Sequence, residues 1–206
     1  CALIRTAIKE EDDQVRHRNV AKLMYIHMLG YPTHFGQMEC LKLVSAVSFP
    51  EKRIGYLGLT LLLSETAEVL PMVTNSLKLD LTNNNQYIQA LSLITIGNLA
   101  TQDMARDLIS DVEKILKGNN AYLKKKAALA TIRLLKKEPD LIEHISERIT
   151  PLLKDRSHGV LISGLQLITD IFEVCPEQKE EFVKIVPSPV RLLKNFLSMG
   201  SSPEHD

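Results

Sequence analysis

The chain has 206 residues, 45% of them hydrophobic, and Lys+Arg and Asp+Glu each total 25. That composition is ordinary for a folded chain and excludes disorder as the dominant state. The balanced charge gives no reason to expect nucleic acid as the main ligand, although local patches remain open.

Helical periodicity covers nearly all of it. A first segment carries Val15, Leu23, Tyr25, Ile26, Met28 and Leu29 and stops at Gly30 with Pro32 just beyond, a Gly-then-Pro ending. A second runs from Phe35 to about Val47, with Met38, Leu41, Val44 and Ala46 on related faces. Ser48, Pro50 and Glu51 then read as a cap followed by a first turn. The third segment, through Ile54, Leu57, Leu59, Leu61, Leu62 and Leu63, is apolar almost all round and must be covered on more than one side. The pattern predicts further helices over 67–79, 85–99, 104–116, 122–136, 141–153 and 159–174, and over 177–199 with a break at Pro187 and Pro189. Short connections carry Asn, Gly, Asp or Pro. No period-two run survives, so the class is all-α.

The especially apolar helices resemble one another. Ile54-Gly55-Tyr56-Leu57, Ile88-Gln89-Ala90-Leu91, Leu123-Lys124-Lys125-Lys126 and Val160-Leu161-Ile162-Ser163 begin about 35 residues apart, a helical-pair repeat length. Each follows a more amphipathic helix. A stack needs one helix of every pair sandwiched between neighbours and one partly exposed, so the expected architecture is a right-handed α-solenoid of armadillo/HEAT-like pairs. Small residues, among them Gly55, Gly58, Ala90, Gly97, Ala127 and Gly164, would let the sandwiched helices approach. Leu91 and Leu134 are expected in the core. The start at Cys1 without Met and the loop-like end Ser202-Pro203-Glu204-His205-Asp206 read as one solenoid fragment, 1–206, truncated at both ends.

No apolar run approaches the ~20 residues needed to span a bilayer. The opening residues lack the order of a secretion signal. Three scattered cysteines, Cys1, Cys40 and Cys175, fit a reducing compartment, and the reading is cytosolic.

Catalytic motifs are missing: there is no phosphate loop, dinucleotide turn, nucleophile elbow or zinc helix, so neither catalytic residues nor a cofactor is assigned. His27 and His34 lie across a helix end and read as packed or capping side chains rather than a metal pair. Cys40 reads as a buried structural thiol. The run Glu10, Glu11, Asp12, Asp13 reads as a solvated helix start. Two basic groups stand out. Arg16, His17, Arg18 and Lys22 gather at a helix start, with Lys52 and Arg53 at a comparable start one pair later; from composition they read first as an ordinary solvated face and second as a patch where an anionic head group could be held. Lys125, Lys126, Arg133, Lys136 and Lys137 share about a third of a helix circumference and read as a water-facing side.

The stretch from Arg18-Asn19-Val20-Ala21-Lys22 through Gly30-Tyr31-Pro32-Thr33-His34-Phe35-Gly36 to Cys40-Leu41-Lys42-Leu43 resembles the large subunits of clathrin adaptor complexes, of gamma-adaptin type. Lys52-Arg53-Ile54-Gly55-Tyr56-Leu57, Tyr122 to Leu129, His158-Gly159-Val160-Leu161 and the last five residues carry the same resemblance, which covers the whole chain.

The resemblance implies a piece of the amino-terminal trunk, a non-enzymatic scaffold. Its partners would be a second large subunit, a medium subunit and a small subunit, with clathrin reached only through missing regions. The implied location is cytoplasmic, peripheral on trans-Golgi network, endosomes and clathrin-coated vesicles, in vesicle-mediated protein transport. It further implies a phosphoinositide site at Arg16, His17, Arg18 and Lys22, with phosphatidylinositol 4-phosphate expected, and contact with an Arf-type GTPase at Met38, Leu41 and Met72. A different reading is an armadillo/HEAT scaffold gripping an extended peptide, as in nuclear transport. It should show a ladder of Asn and Trp, and the chain has no Trp.

Overall fold

The computed structural model describes residues 2–10 and 13–198. Within them the chain is helical throughout: α1 (Ala2–Lys9), α2 (Asp13–Met28), α3 (Gln37–Val44), α4 (Phe49–Leu62), α5 (Leu70–Leu81), α6 (Gln86–Leu99), α7 (Gln102–Lys117), α8 (Ala121–Lys137), α9 (Ile142–Leu152), α10 (His158–Val174), α11 (Lys179–Val183) and α12 (Pro187–Ser198). No strand occurs among the described residues. Helices pack as antiparallel pairs, α3 with α4, α5 with α6, α7 with α8 and α9 with α10. The pairs stack so that α2, α4, α6, α8 and α10 each touch the next, while α3, α5, α7 and α9 form a second, outer column in the same way. This is the expected α-solenoid.

The two columns differ as a stack requires. The outer helix α7 buries one stripe, Met104, Ala105, Leu108, Ile109, Val112 and Leu116, and turns charge outward. The inner helix α6 buries residues in several directions, Ile88, Ala90, Ser92, Leu93, Thr95, Ile96 and Leu99, because α4, α5 and α8 all press on it. Its hydroxyls are satisfied without water: Ser92 Oγ donates to the Leu77 carbonyl at 3.0 Å and Thr95 Oγ1 to that of Leu91 at 2.9 Å.

Local chemistry sets the ends. Asn85 and Asn120 accept from Tyr87 N and Leu123 N at 2.9 and 3.2 Å, capping α6 and α8. At the end of α2, Gly30 has φ 87°, and its N–H reaches the His27 carbonyl while that of Tyr31 reaches Ile26, a left-handed stop suited to glycine. Ser48 precedes α4 as expected but makes no side-chain cap bond.

Gly55 and Gly58 set the closeness of α3 and α4. A Cβ on Gly55 would lie 2.7 Å from Val44 N, and one on Gly58 would lie 2.6 Å from Cys40 Sγ. By contrast, a Cβ on Gly97 would meet only Ala130 Cα, at 3.8 Å.

The break expected near Pro187 and Pro189 occurs at 184–186, immediately before Pro187, which begins α12 where its missing N–H costs nothing, while Pro189 sits in the first turn of α12. Two expectations are corrected. The helix expected over 67–79 is α5, displaced toward the carboxy terminus because Pro71 belongs in its first turn. Leu91 is only half-buried and packs at the edge of the core, whereas Leu134 is fully buried. Leu134→Ala is therefore expected to cost ~2 to 5 kcal/mol in urea denaturation, and Leu91→Ala distinctly less.

Candidate functional site

Arg16, His17 and Arg18 of the first basic group lie in the first two turns of α2, Lys22 lies mid-helix, and packing divides the group. Arg16 turns inward, its Nε 2.9 Å from Glu39 Oε2 of α3, while Lys42 holds the other oxygen of Glu39 at 2.8 Å. Arg18 and Lys22, four residues apart on one helical face, are exposed. His17 is half-buried, and its Nδ1 is shut from solvent without a hydrogen-bond partner among the described residues. The outward-facing cations of the group are Arg18 and Lys22, with Arg16 braced behind them.

Lys52 has a different role from the one its position suggests. Only 8% exposed, its ammonium donates to the Val44 carbonyl at 2.6 Å and to both Asp80 oxygens at 2.9 and 2.8 Å. The Tyr56 hydroxyl donates to Asp80 Oδ2 at 2.6 Å, and burial together with that bond pushes the phenol's pKa up. One cation thus satisfies a free carbonyl at the end of α3 and ties it to α4 and α5. Lys52 holds no head group, and Arg53 alone of that pair is exposed. The sequence signal was present: Lys52 is in helical phase with Gly55, Tyr56 and Leu59, all buried.

The second basic group is corrected too. Arg133 Nη2 and Lys137 Nζ both reach Glu65, at 2.5 and 2.6 Å, and Lys136 pairs with Asp170. Lys125 and Lys126 are half-buried over the Tyr122 ring, at 5.8 and 5.1 Å from its centroid. These residues fasten α8 to its neighbours rather than forming a plain solvated face. Other bonds reach one repeat along in the same manner: Lys124 with Asp155 at 2.9 Å, Arg148 with Glu113 at 2.9 Å and Gln102 with Glu138 at 3.0 Å.

Of the apolar set, Met38 and Met72 are 46% and 54% exposed on the outer column, but Leu41 is buried at 8%. Met38 and Met72 are presented to solvent by the contacting helices α3 and α5, and Leu41 belongs to the core beneath. Cys40 is fully buried, with its pKa pushed up to about 12 by desolvation and then by Glu39, so its thiolate is inaccessible at neutral pH. His27 Nδ1 lies 2.8 Å from Thr33 Oγ1 across the helix end. Among the described residues no three His, Cys, Asp or Glu converge as a metal site, and no helix is long and apolar enough to cross a membrane. Of the carboxylate run, Glu11 and Asp12 lie outside the described residues, as do Cys1 and the last residues of the chain.

A helical stack whose polar side chains brace one repeat against another and whose surface presents cations and methionines defines the class of solenoid scaffolds. The chain belongs to the family described as the adaptin N terminal region, whose model matches residues 1–203. It is 53% identical to "AP-1 complex subunit gamma" of Dictyostelium discoideum over 205 residues, covering 100% of this chain and 23% of that protein. Against "AP-1 complex subunit gamma-2" of Arabidopsis thaliana it is 53% identical, and against the human "AP-1 complex subunit gamma-like 2" 43%, covering 24% and 26% of those proteins and all of this chain. The chain therefore spans about a quarter of the length of these curated relatives. A chain from a homology model of the full-length AP-3 complex superposes with TM-score 0.71 at 22% identity, over 92% of this chain and 36% of that one, a likeness of fold.

Removing the counter-charge of Lys52 should be costly. Asp80→Ala is expected to lose about 3–5 kcal/mol in urea denaturation, because it leaves a buried ammonium unpaired. Lys52→Met combined with Asp80→Leu should recover part of that loss.

Proposed function

We propose that this chain is a scaffold segment of the large, gamma-type subunit of a clathrin adaptor complex, serving vesicle-mediated protein transport between trans-Golgi network and endosomes. The observation that carries this reading is 53% identity to AP-1 gamma subunits along the whole chain. Assembly is with a second large subunit, a medium subunit and a small subunit, and the solenoid supplies a long surface on which they meet. The working location is the cytoplasmic face of those membranes and of coated vesicles.

Membrane contact along α2 follows from Arg18 and Lys22, which are exposed on one face, with Arg16 and His17 behind them. A phosphorylated inositol head group, phosphatidylinositol 4-phosphate first, is the ligand that such charge-assisted hydrogen bonds fit. The contact with an Arf-type GTPase falls on Met38 and Met72, exposed apolar side chains on adjacent outer helices, while Leu41 supports them from within the core.

Co-expression of the chain with the three other subunits is expected to yield one co-purifying complex. Met38→Glu with Met72→Glu should leave that complex intact and lower its capture by GTP-loaded Arf at least tenfold. A chain that co-purifies with none of the three ends the adaptor reading, and undiminished capture ends the GTPase contact. Separately, Arg18→Glu with Lys22→Glu should reduce sedimentation with vesicles containing phosphatidylinositol 4-phosphate and leave far-ultraviolet circular dichroism unchanged.

A further inference from the structure

At the far end of the array, Thr150 from the last turn of α9, Lys154 from the turn after it, Lys184 from the turn after α11, and Ser188 and Arg191 from α12 line an open cleft of about 450 Å³. Ile185 and Pro187 supply its apolar floor. Three cations from three separate segments thus share one concavity, and among the described residues no carboxylate lines it. Elsewhere in the stack cations of neighbouring repeats are neutralised: Lys124 by Asp155, Arg148 by Glu113, Lys136 by Asp170, Arg133 and Lys137 by Glu65. Among the described residues, Lys154, Lys184 and Arg191 have no such partner, and the hydroxyls of Thr150 and Ser188 make no side-chain hydrogen bond.

Three like charges around one hollow repel one another, so the arrangement favours occupation by an anion bearing more than one negative charge. Arg191 offers a planar fork of donors, the two lysines offer point charges, and the hydroxyls offer short neutral donors, a set matched to the oxygens of a phosphate monoester. The surroundings choose among its sources. Successive helices run antiparallel, so the end of α9 lies on the same edge of the stack as the starts of α2 and α8. Arg18, in the second turn of α2, is exposed near that edge, with Lys22 one turn further along the same face, and a flat anionic surface could meet both places at once.

We infer that the cleft between α9 and α12 is a second anion site, which takes the phosphorylated inositol head group of a membrane lipid. The choice of a lipid source rests on the proposed membrane contact of α2, whereas the cleft and its cations stand independently of it.

The test uses the chain and three variants: Lys184→Glu with Arg191→Glu, the milder Lys184→Gln with Arg191→Gln, and Arg18→Glu with Lys22→Glu. The four mutated positions are exposed, and circular dichroism checks the fold of each variant. Sedimentation is measured with phosphatidylcholine vesicles containing phosphatidylinositol 4-phosphate and with vesicles of equal charge containing phosphatidylserine. Titration calorimetry uses soluble inositol 1,4-bisphosphate and, separately, inorganic phosphate. The cleft variants are expected to weaken inositol bisphosphate binding at least tenfold and to lower sedimentation with the phosphoinositide vesicles, the Gln pair less than the Glu pair. Inorganic phosphate should bind the chain at least tenfold more weakly than the bisphosphate.

Cleft variants that bind inositol bisphosphate as the unmodified chain does overturn the proposal. Equal sedimentation of the unmodified chain with both vesicle types overturns the head-group assignment, as does a phosphopeptide that displaces the bisphosphate while vesicles do not. If only the Arg18 and Lys22 variant loses vesicle binding, the α2 contact stands and the cleft falls; the reverse result leaves the cleft standing without it.

Discussion

An inner helix of this stack is pressed from three directions, and that confinement governs the rest of the structure. Helix α6 has α4 before it, α8 after it and α5 across the pair, so its residues must be apolar, small or self-satisfied almost all round. The outer helices then need bury only one stripe and are free to carry charge. Between α3 and α4 the confinement is tightest: Gly55 and Gly58 are placed against the backbone and the sulfur of Cys40, with no room for a methyl group. A thiol held there is a space-filling apolar group rather than a nucleophile, and its raised pKa expresses the same crowding.

Polar side chains respond to this geometry in two ways. In the first pairs a single buried cation, Lys52, collects a helix-end carbonyl and a carboxylate that is also bonded by Tyr56. Farther along, the ties lie nearer the surface and reach one repeat forward. They include Asn120 with Gln86, 34 residues apart, Arg148 with Glu113, 35 apart, and Gln102 with Glu138, 36 apart. Individually such partly exposed contacts contribute little, but set at intervals they fix the register in which each pair docks on the last.

The architecture was legible because its cause is periodic. Apolar helices recurring at one interval, each after an amphipathic partner, predict the stack, and the Gly30 stop falls where local chemistry predicts it, whereas the expected Ser48 cap makes no side-chain bond and Asn85 and Asn120 cap instead. The errors come from contacts that a linear pattern does not contain. Lys52 reads as an exposed helix-start cation until its phase with Gly55, Tyr56 and Leu59 is followed, and even then its acceptor, Asp80, lies 28 residues away. Lys136 and Arg133 look outward by helical angle, yet a neighbouring repeat supplies a carboxylate at that angle. Leu41 and Met38, three residues apart, divide between core and surface because α4 covers one of them. The α9–α12 cleft draws on residues from three elements, none of which is conspicuous in its own segment.

The spacing of most cross-repeat ties, those to Glu65 apart, bears on how such a chain can change length. Duplicating one whole helical pair would repeat ties of this spacing along with it, since their bond partners are separated by about one unit. Dropping a single residue inside an inner helix would instead rotate everything after it by about 100° and mismatch several ties together. The rod is thereby tolerant of modular growth and intolerant of small slips, so its overall span is the more readily altered property and its pitch the more strictly held one.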